Sequence, residues 1–278
     1  MSLLNRTRTH LGILAIMAGL HTAAATERIF TYSYEPETMP QGALEFEQWV
    51  TLRTQRTQGG EVKKQNFNRW EIREELEYGV TDNYTVGFYL NAKAESFRDV
   101  SVTPHQDVSE FEFAGISLEN RYMVLNPAEY PVGVTLYLEP TFTGSEAALE
   151  QKIILGQRHG DWKWALNLVH ETEWEDNFHE TVGEVEATFG LGRQLSPRWT
   201  VGLELRNHSE IPEYSEWESM ALHLGPVVSY RQEKWWGTLT VMPQVWGKNF
   251  DGNPDDNRWL ELEDHERVNI RLILGFNF

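Results

Sequence analysis

The chain contains no cysteine among its 278 residues, which excludes disulfides, thiolate metal sites and thiol nucleophiles together. It is also short of positive charge, with 24 Lys and Arg against 42 Asp and Glu. Nucleic acid is therefore not an expected partner, because its affinity comes from neutralising phosphates with Lys and Arg. Long apolar runs are missing too. Leu11 to Leu20 (LGILAIMAGL) is an apolar stretch of about ten, and no later one approaches the roughly 20 residues that cross a bilayer as a helix. The mean hydropathy of −0.50 does not speak for a helical membrane protein. It does not exclude one that crosses with strands, where only alternate residues meet lipid.

The apolar stretch follows Arg6 and Arg8 and leads to the small residues Ala23, Ala24 and Ala25. That order predicts a secretory signal peptide over residues 1–25, cut after Ala25. Its loss removes two arginines and no acid, taking the net charge from −18 to −20. Residues 26–41 read as a periplasmic lead-in, where Pro36 and Pro40 forbid a central strand.

From Ala43 onward, runs of alternating apolar and polar residues repeat between turn signals. In the first, Leu44, Phe46, Val50 and Leu52 alternate with Glu45, Glu47, Trp49, Thr51 and Arg53. The run over 67–79 sets Trp70, Ile72, Leu76 and Tyr78 against Arg69, Glu71, Arg73, Glu75 and Glu77. About twelve such runs are counted, or ten or fourteen if one has been split or fused, against the roughly 9–11 residues that cross the hydrocarbon at a tilt. The predicted fold is all-β: a single antiparallel up-and-down transmembrane β-barrel over residues 42–278. Aromatics near strand ends, Trp162, Trp199, Trp235, Trp236, Tyr78, Tyr84, Tyr122 and Tyr230, read as its interfacial girdles.

The last run, HERVNIRLILGFNF, ends with Phe276 and Phe278 on the apolar face. It resembles the terminal strand of Gram-negative outer-membrane barrels. That resemblance implies that Phe276 and Phe278 are an assembly signal read by the barrel-assembly machinery. It also implies a place in the cell outer membrane, among its lipid and lipopolysaccharide.

The alternation points many charges inward. The pore-lining candidates are Glu45, Glu47, Arg53, Arg69, Glu71, Arg73, Glu75, Glu119, Arg121, Glu139, Glu184, Glu186, Glu204, Arg206 and Arg271. Charges so placed must pair or meet water. They predict either a rigid interior of paired charges or a narrow passive channel for small solutes, whose acidic excess favours cations.

No cofactor motif is present and none is expected. Outer-membrane phospholipases place Ser and His two residues apart on one strand, whereas here Asn207, His208 and Ser209 are consecutive and His and Ser face opposite ways. The sequence therefore predicts no catalytic residues. Asp251, Asn253 and Asp255 match the first three ligand positions of a calcium loop, but Asp256 stands where Gly is needed and Leu262 where Glu is needed. A solvated acidic loop is the better reading.

The stretch FTYSYEPETMPQGALEFEQWVTLR (30–53), followed by Glu77-Tyr78-Gly79-Val80-Thr81-Asp82, resembles an uncharacterised family of proteobacterial outer-membrane proteins. The Tyr-Gly-Val-Thr-Asp turn with Val86-Gly87 is also similar to outer-membrane transporters associated with aromatic-compound degradation. These resemblances imply an outer-membrane barrel with a transport role.

Overall fold

The computed structural model describes residues 28–59, 62–250 and 259–278. The expected signal peptide and the loop residues Asp251, Asn253 and Asp255 lie outside the described residues. The strands are β1 (Leu44–Thr54), β2 (Gln58–Gly59), β3 (Val62–Thr81), β4 (Tyr84–Asp99), β5 (Gln106–Leu125), β6 (Gly133–Phe142), β7 (Ala147–His159), β8 (Trp162–Glu175), β9 (Glu180–Gln194), β10 (Trp199–Pro212), β11 (Ser219–Arg231), β12 (Trp235–Asn249) and β13 (Val268–Asn277). Every pairing is antiparallel. β1 pairs with β3 on one side and with β13 on the other, so twelve strands close into a barrel. The two-residue β2 only extends the β3 ladder, at Val62 and Lys63. Closure satisfies the backbone groups that an open sheet edge would leave unpaired in lipid.

The expected barrel and its strand order are found, with strands longer than the alternation alone marks. β3 covers 20 residues where the apolar stripe spans 67–79, because hydrogen bonding continues into polar residues beyond the lipid. The alternation itself is sharp: Phe88 is 41% exposed and its neighbour Tyr89 0%. The outward face is apolar and the inward face polar.

Aromatics ring the short-turn end, with Trp199 4.6 Å from Tyr230 and Tyr230 5.4 Å from Trp235. Trp236 departs from the expected girdle. It is fully buried inside the barrel and donates to Glu45 Oε1 at 3.1 Å. Consecutive strand residues face opposite sides, so Trp235 and Trp236 could not both meet lipid. Gly275, paired with Trp236, makes the room, since a Cβ there would lie 2.2 Å from the indole.

Two irregular segments complete the wall and the interior. Residues 259–267 take over where β13 is too short. Leu262 C=O accepts from Thr57 N at 2.9 Å, and Trp259 C=O accepts from Gly247 N at 2.9 Å. Residues 28–40, rather than standing apart as a separate periplasmic segment, run through the barrel interior near the short turns, and Ile29, Phe30, Tyr32, Tyr34 and Met39 are buried there.

Candidate functional site: an inner segment beneath a charged vestibule

The N-terminal segment is held by side chains from strands all round the barrel. Glu204 of β10 accepts from Thr31 N at 3.0 Å, Tyr32 N at 2.9 Å and Ser33 N at 2.9 Å, and from the hydroxyls of Thr31 and Thr240. Successive backbone N–H groups thus form a nest around one buried carboxylate. Asn167 of β8 clasps Tyr34 twice, accepting from its N–H at 2.7 Å and donating to its C=O at 2.9 Å. Met39 N donates to Thr85 Oγ1 at 2.8 Å. These bonds replace the backbone partners that an irregular segment lacks. Phe30 packs over Gly190, where a Cβ would come within 2.7 Å of the ring.

Tyr34 is the hub of the floor. Its ring centroid lies 3.8 Å from the Arg28 guanidinium, 4.4 Å from Lys152 Nζ and 5.3 Å from the Tyr137 ring. Together with Trp49, Tyr137, Ile154, Trp236 and Ile273 it forms the largest buried apolar cluster. A barrel interior otherwise filled by charge is therefore closed by an aromatic layer.

Above that layer lies a cavity of about 480 Å³, floored by Tyr32, Tyr34 and Trp49 and reaching the long-loop end at Arg56, Glu175 and Glu210. Ten carboxylates and eight Lys or Arg side chains line it, unevenly: acids predominate on one wall, with Lys152 and Arg206 among them, and cations on the other, with Glu71 among them. β7 to β10 supply Glu150, Glu171, Glu173, Glu184, Glu186 and Glu210, while β13, β1, β3 and β4 supply Arg271, Arg53, Arg69, Arg73 and Lys93. In the closed strand order these two walls face each other. Many of the charges pair locally: Arg53 with Glu71 at 2.8 Å and Glu266 at 3.2 Å, Arg69 with Glu95 at 2.8 Å, and Arg206 with Glu186 at 2.6 Å. Among the described residues, Glu171, Glu173 and Glu210 have no such partner, so the vestibule's unpaired carboxyl groups gather on the β8–β10 wall.

The 259–267 segment adds titratable groups at the vestibule rim. Burial and then the nearby Asp264 push the Glu261 carboxyl up to about 7, against the pull of the backbone N–H groups of Glu263, Asp264 and His265 that it accepts. Burial alone would raise Glu266, yet Arg53 and Arg206 outweigh it and hold that carboxyl well below the usual range. Burial, reinforced by His208, keeps the His265 imidazole neutral, and its Nε2 lies 3.0 Å from Ser219 Oγ. Among the described residues no carboxylate bonds the His265 ring to orient it, so this pair lacks the third member that an acyl-transfer site uses.

Of the fifteen pore-lining candidates, Arg53, Arg69, Glu71, Arg73, Glu184, Glu186, Arg206 and Arg271 line the vestibule. Glu45, Glu47, Glu75, Glu119, Arg121, Glu139 and Glu204 lie deeper and are buried. The sequence reading missed Glu173 and Glu210, although each sits two residues beyond an inward-facing neighbour. It also missed His265 and Glu266, which open the last run but precede the strand itself. The aromatic floor from Tyr32 and Tyr34 carried no signal beyond the two prolines that end the segment.

The structure is similar to the COG4313 outer membrane channel from Pseudomonas putida F1, with a TM-score of 0.60 at 11% identity, over 90% of this chain and 100% of that one. Weaker likenesses are to the NanC porin, TM-score 0.48 at 10% identity over 84% and 100% of the two chains, and to the CymD monoaromatic hydrocarbon channel, TM-score 0.42 at 9% identity over 86% and 89%. No curated protein matches the sequence. The fold is thus the closed antiparallel β-barrel that the first of these structures shares. Residues 22–153 and 151–278 both match one family model, in keeping with the outer-membrane family that residues 30–53 resemble, and the chain belongs to that family of unknown function, DUF6662.

Proposed function

We propose that the protein is a passive outer-membrane channel for small polar solutes, closed in this state by its own N-terminal segment. The observation that carries the reading is the vestibule of about 480 Å³, open toward the long loops and floored by residues 28–40. A purely structural barrel has no need of a charged chamber with room for many waters and an unpaired acidic wall. The unpaired Glu171, Glu173 and Glu210 favour cationic solutes or the cationic end of a zwitterion, while the arginine wall opposite can meet a carboxylate. No hydrolytic role is proposed, since among the described residues no acid orients the Ser219–His265 pair. The barrel would sit among outer-membrane lipid and lipopolysaccharide, delivered by the assembly machinery through β13.

A structural barrel without an open pore is the second reading, favoured by the aromatic layer and the cross-strand ion pairs that fill the lower lumen. Single-channel recording of the refolded protein, with and without residues 26–38, separates the two. The channel reading expects little conductance from the full chain and steady, cation-preferring conductance from the shortened one, with the preference falling when Glu171, Glu173 and Glu210 become Gln. A shortened barrel that folds but passes no current would favour the structural reading.

A further inference from the structure

Below the vestibule, five carboxylates from one stretch of the barrel wall meet in one place: Glu45 and Glu47 of β1, Glu75 and Glu77 of β3, and, across β4, Glu119 of β5. Each is at most 1% exposed. The β1–β3 register sets Glu45 directly opposite Glu77 and Glu47 opposite Glu75, an arrangement of like charges that is destabilising when uncompensated. Two cations reach them. Arg121 pairs with Glu119 at 2.5 Å and with Glu77, and Arg28 Nη1 lies 3.9 Å from Glu47. Buried carboxyl groups therefore outnumber buried cations at this point.

The carboxylates are oriented from outside. Trp236 Nε1 donates to Glu45 Oε1 at 3.1 Å, Trp49 Nε1 to Glu47 Oε2 at 2.7 Å, and the Tyr89 hydroxyl to Glu119 Oε2 at 2.5 Å. The other oxygens of Glu45 and Glu47, and both oxygens of the fully buried Glu75, receive no hydrogen bond from the protein. One oxygen from each of Glu45, Glu47 and Glu77 lies within 4.8 Å of the other two, and the same holds for Glu75, Glu77 and Glu119. Space has also been made. Gly87 pairs with Glu77 on one side and Glu119 on the other, and a Cβ there would come within 2.7 Å of Glu75 Oε1. The missing side chain is the cradle in which the Glu75 carboxylate lies.

We propose that this cluster binds a hard divalent cation of the calcium class. The donor set is all oxygen and all carboxylate, which suits calcium or magnesium and not a softer metal. Carboxylates alone, drawn from three strands of a closed wall, suit calcium, which takes 6–8 oxygens in flexible geometry, better than magnesium, which demands a near-ideal octahedron and keeps several waters. The indoles and the tyrosine act as the outer layer that fixes ligand orientation. A bound cation would supply the missing positive charge and tie β1, β3 and β5 together beneath the N-terminal segment. The site is independent of whether the barrel conducts.

The test uses the full mature chain, refolded in detergent free of lipopolysaccharide and stripped with a chelator. Calorimetric titration with calcium chloride should show about one ion per barrel. Terbium ion should luminesce on tryptophan excitation, because Trp49 and Trp236 touch the ligands. Glu75→Gln should weaken both signals at least about tenfold, and Gly87→Ala should weaken them by crowding the Glu75 carboxylate. Glu129→Gln, on an exposed turn, should leave them unchanged. Should Glu75→Gln fail to fold, Gly87→Ala and Glu45→Gln carry the test. A natively migrating, heat-modifiable barrel that binds neither ion overturns the proposal. Binding that survives both Glu75→Gln and Gly87→Ala overturns it as well, since the ion would then sit on the surface.

Discussion

At the scale of the residue, the interior was legible because a strand has a period of two. Once Trp70, Ile72 and Leu76 are assigned to lipid, Glu71, Arg73 and Glu75 must point inward, and the structure puts them there. The same rule, applied to adjacent tryptophans, would have turned Trp236 inward. What alternation cannot give is depth, so it did not separate vestibule residues such as Glu184 from fully buried ones such as Glu75. Nor could it reach Glu261, which lies outside any strand. With that carboxyl at about 7 instead of its ordinary 4.5, the folded chain keeps a proton between those values that the unfolded chain has shed. A folded state that binds more protons loses stability as pH rises, so this contribution falls between about 4.5 and about 7 and is level above. Replacing Glu261 by Gln should flatten the change in apparent melting midpoint of the refolded barrel between pH 5 and pH 8. An unchanged slope would mean that Glu261 titrates normally.

At the scale of the element, the strands and their order followed from the repeats, and both irregular segments did not. Residues 28–40 were read as a lead-in because prolines excluded a strand, but nothing local says that a lead-in will fold back into a lumen. Its partners, Glu204, Asn167 and Thr85, are far away in sequence. The closing strand was the clearest element of all. Phe276 stacks 6.4 Å from Phe46 across the β1–β13 seam, and Phe278 N donates to Leu44 C=O at 3.1 Å, while the Phe278 ring stays 73% exposed. An exposed terminal ring contributes little to the folded barrel and is free to be recognised. Deleting Phe278 should cut the amount of assembled protein in cells several-fold yet leave refolding into detergent nearly unchanged. Equal losses in both would make its role structural.

At the scale of the whole molecule, the barrel works as two stacked compartments. The lower one is packed by the N-terminal segment, aromatic rings and buried carboxylates, and the upper one is a charged chamber facing the long loops. A closed antiparallel sheet is rigid, so the proposed opening requires the segment to leave, and Glu204 holds that segment with four hydrogen bonds. Hydrogen bonds to a charged group are worth about 1.5–3 kcal/mol each, so Glu204→Gln should loosen the segment without disturbing a wall that is held by its own ladder.

The absence of cysteine makes the central claim directly measurable. Ser33, 0% exposed and bonded through its N–H to Glu204, can be replaced as Ser33→Cys, and the exposed loop residue Ser101 as Ser101→Cys, each labelled in the refolded barrel with a bulky maleimide. The structure predicts rapid labelling of Ser101→Cys, near-complete protection of Ser33→Cys, and labelling about tenfold faster or more when Ser33→Cys is combined with Glu204→Gln. Equal labelling of the two single variants in a natively folded barrel would contradict it, and would place the N-terminal segment outside the lumen.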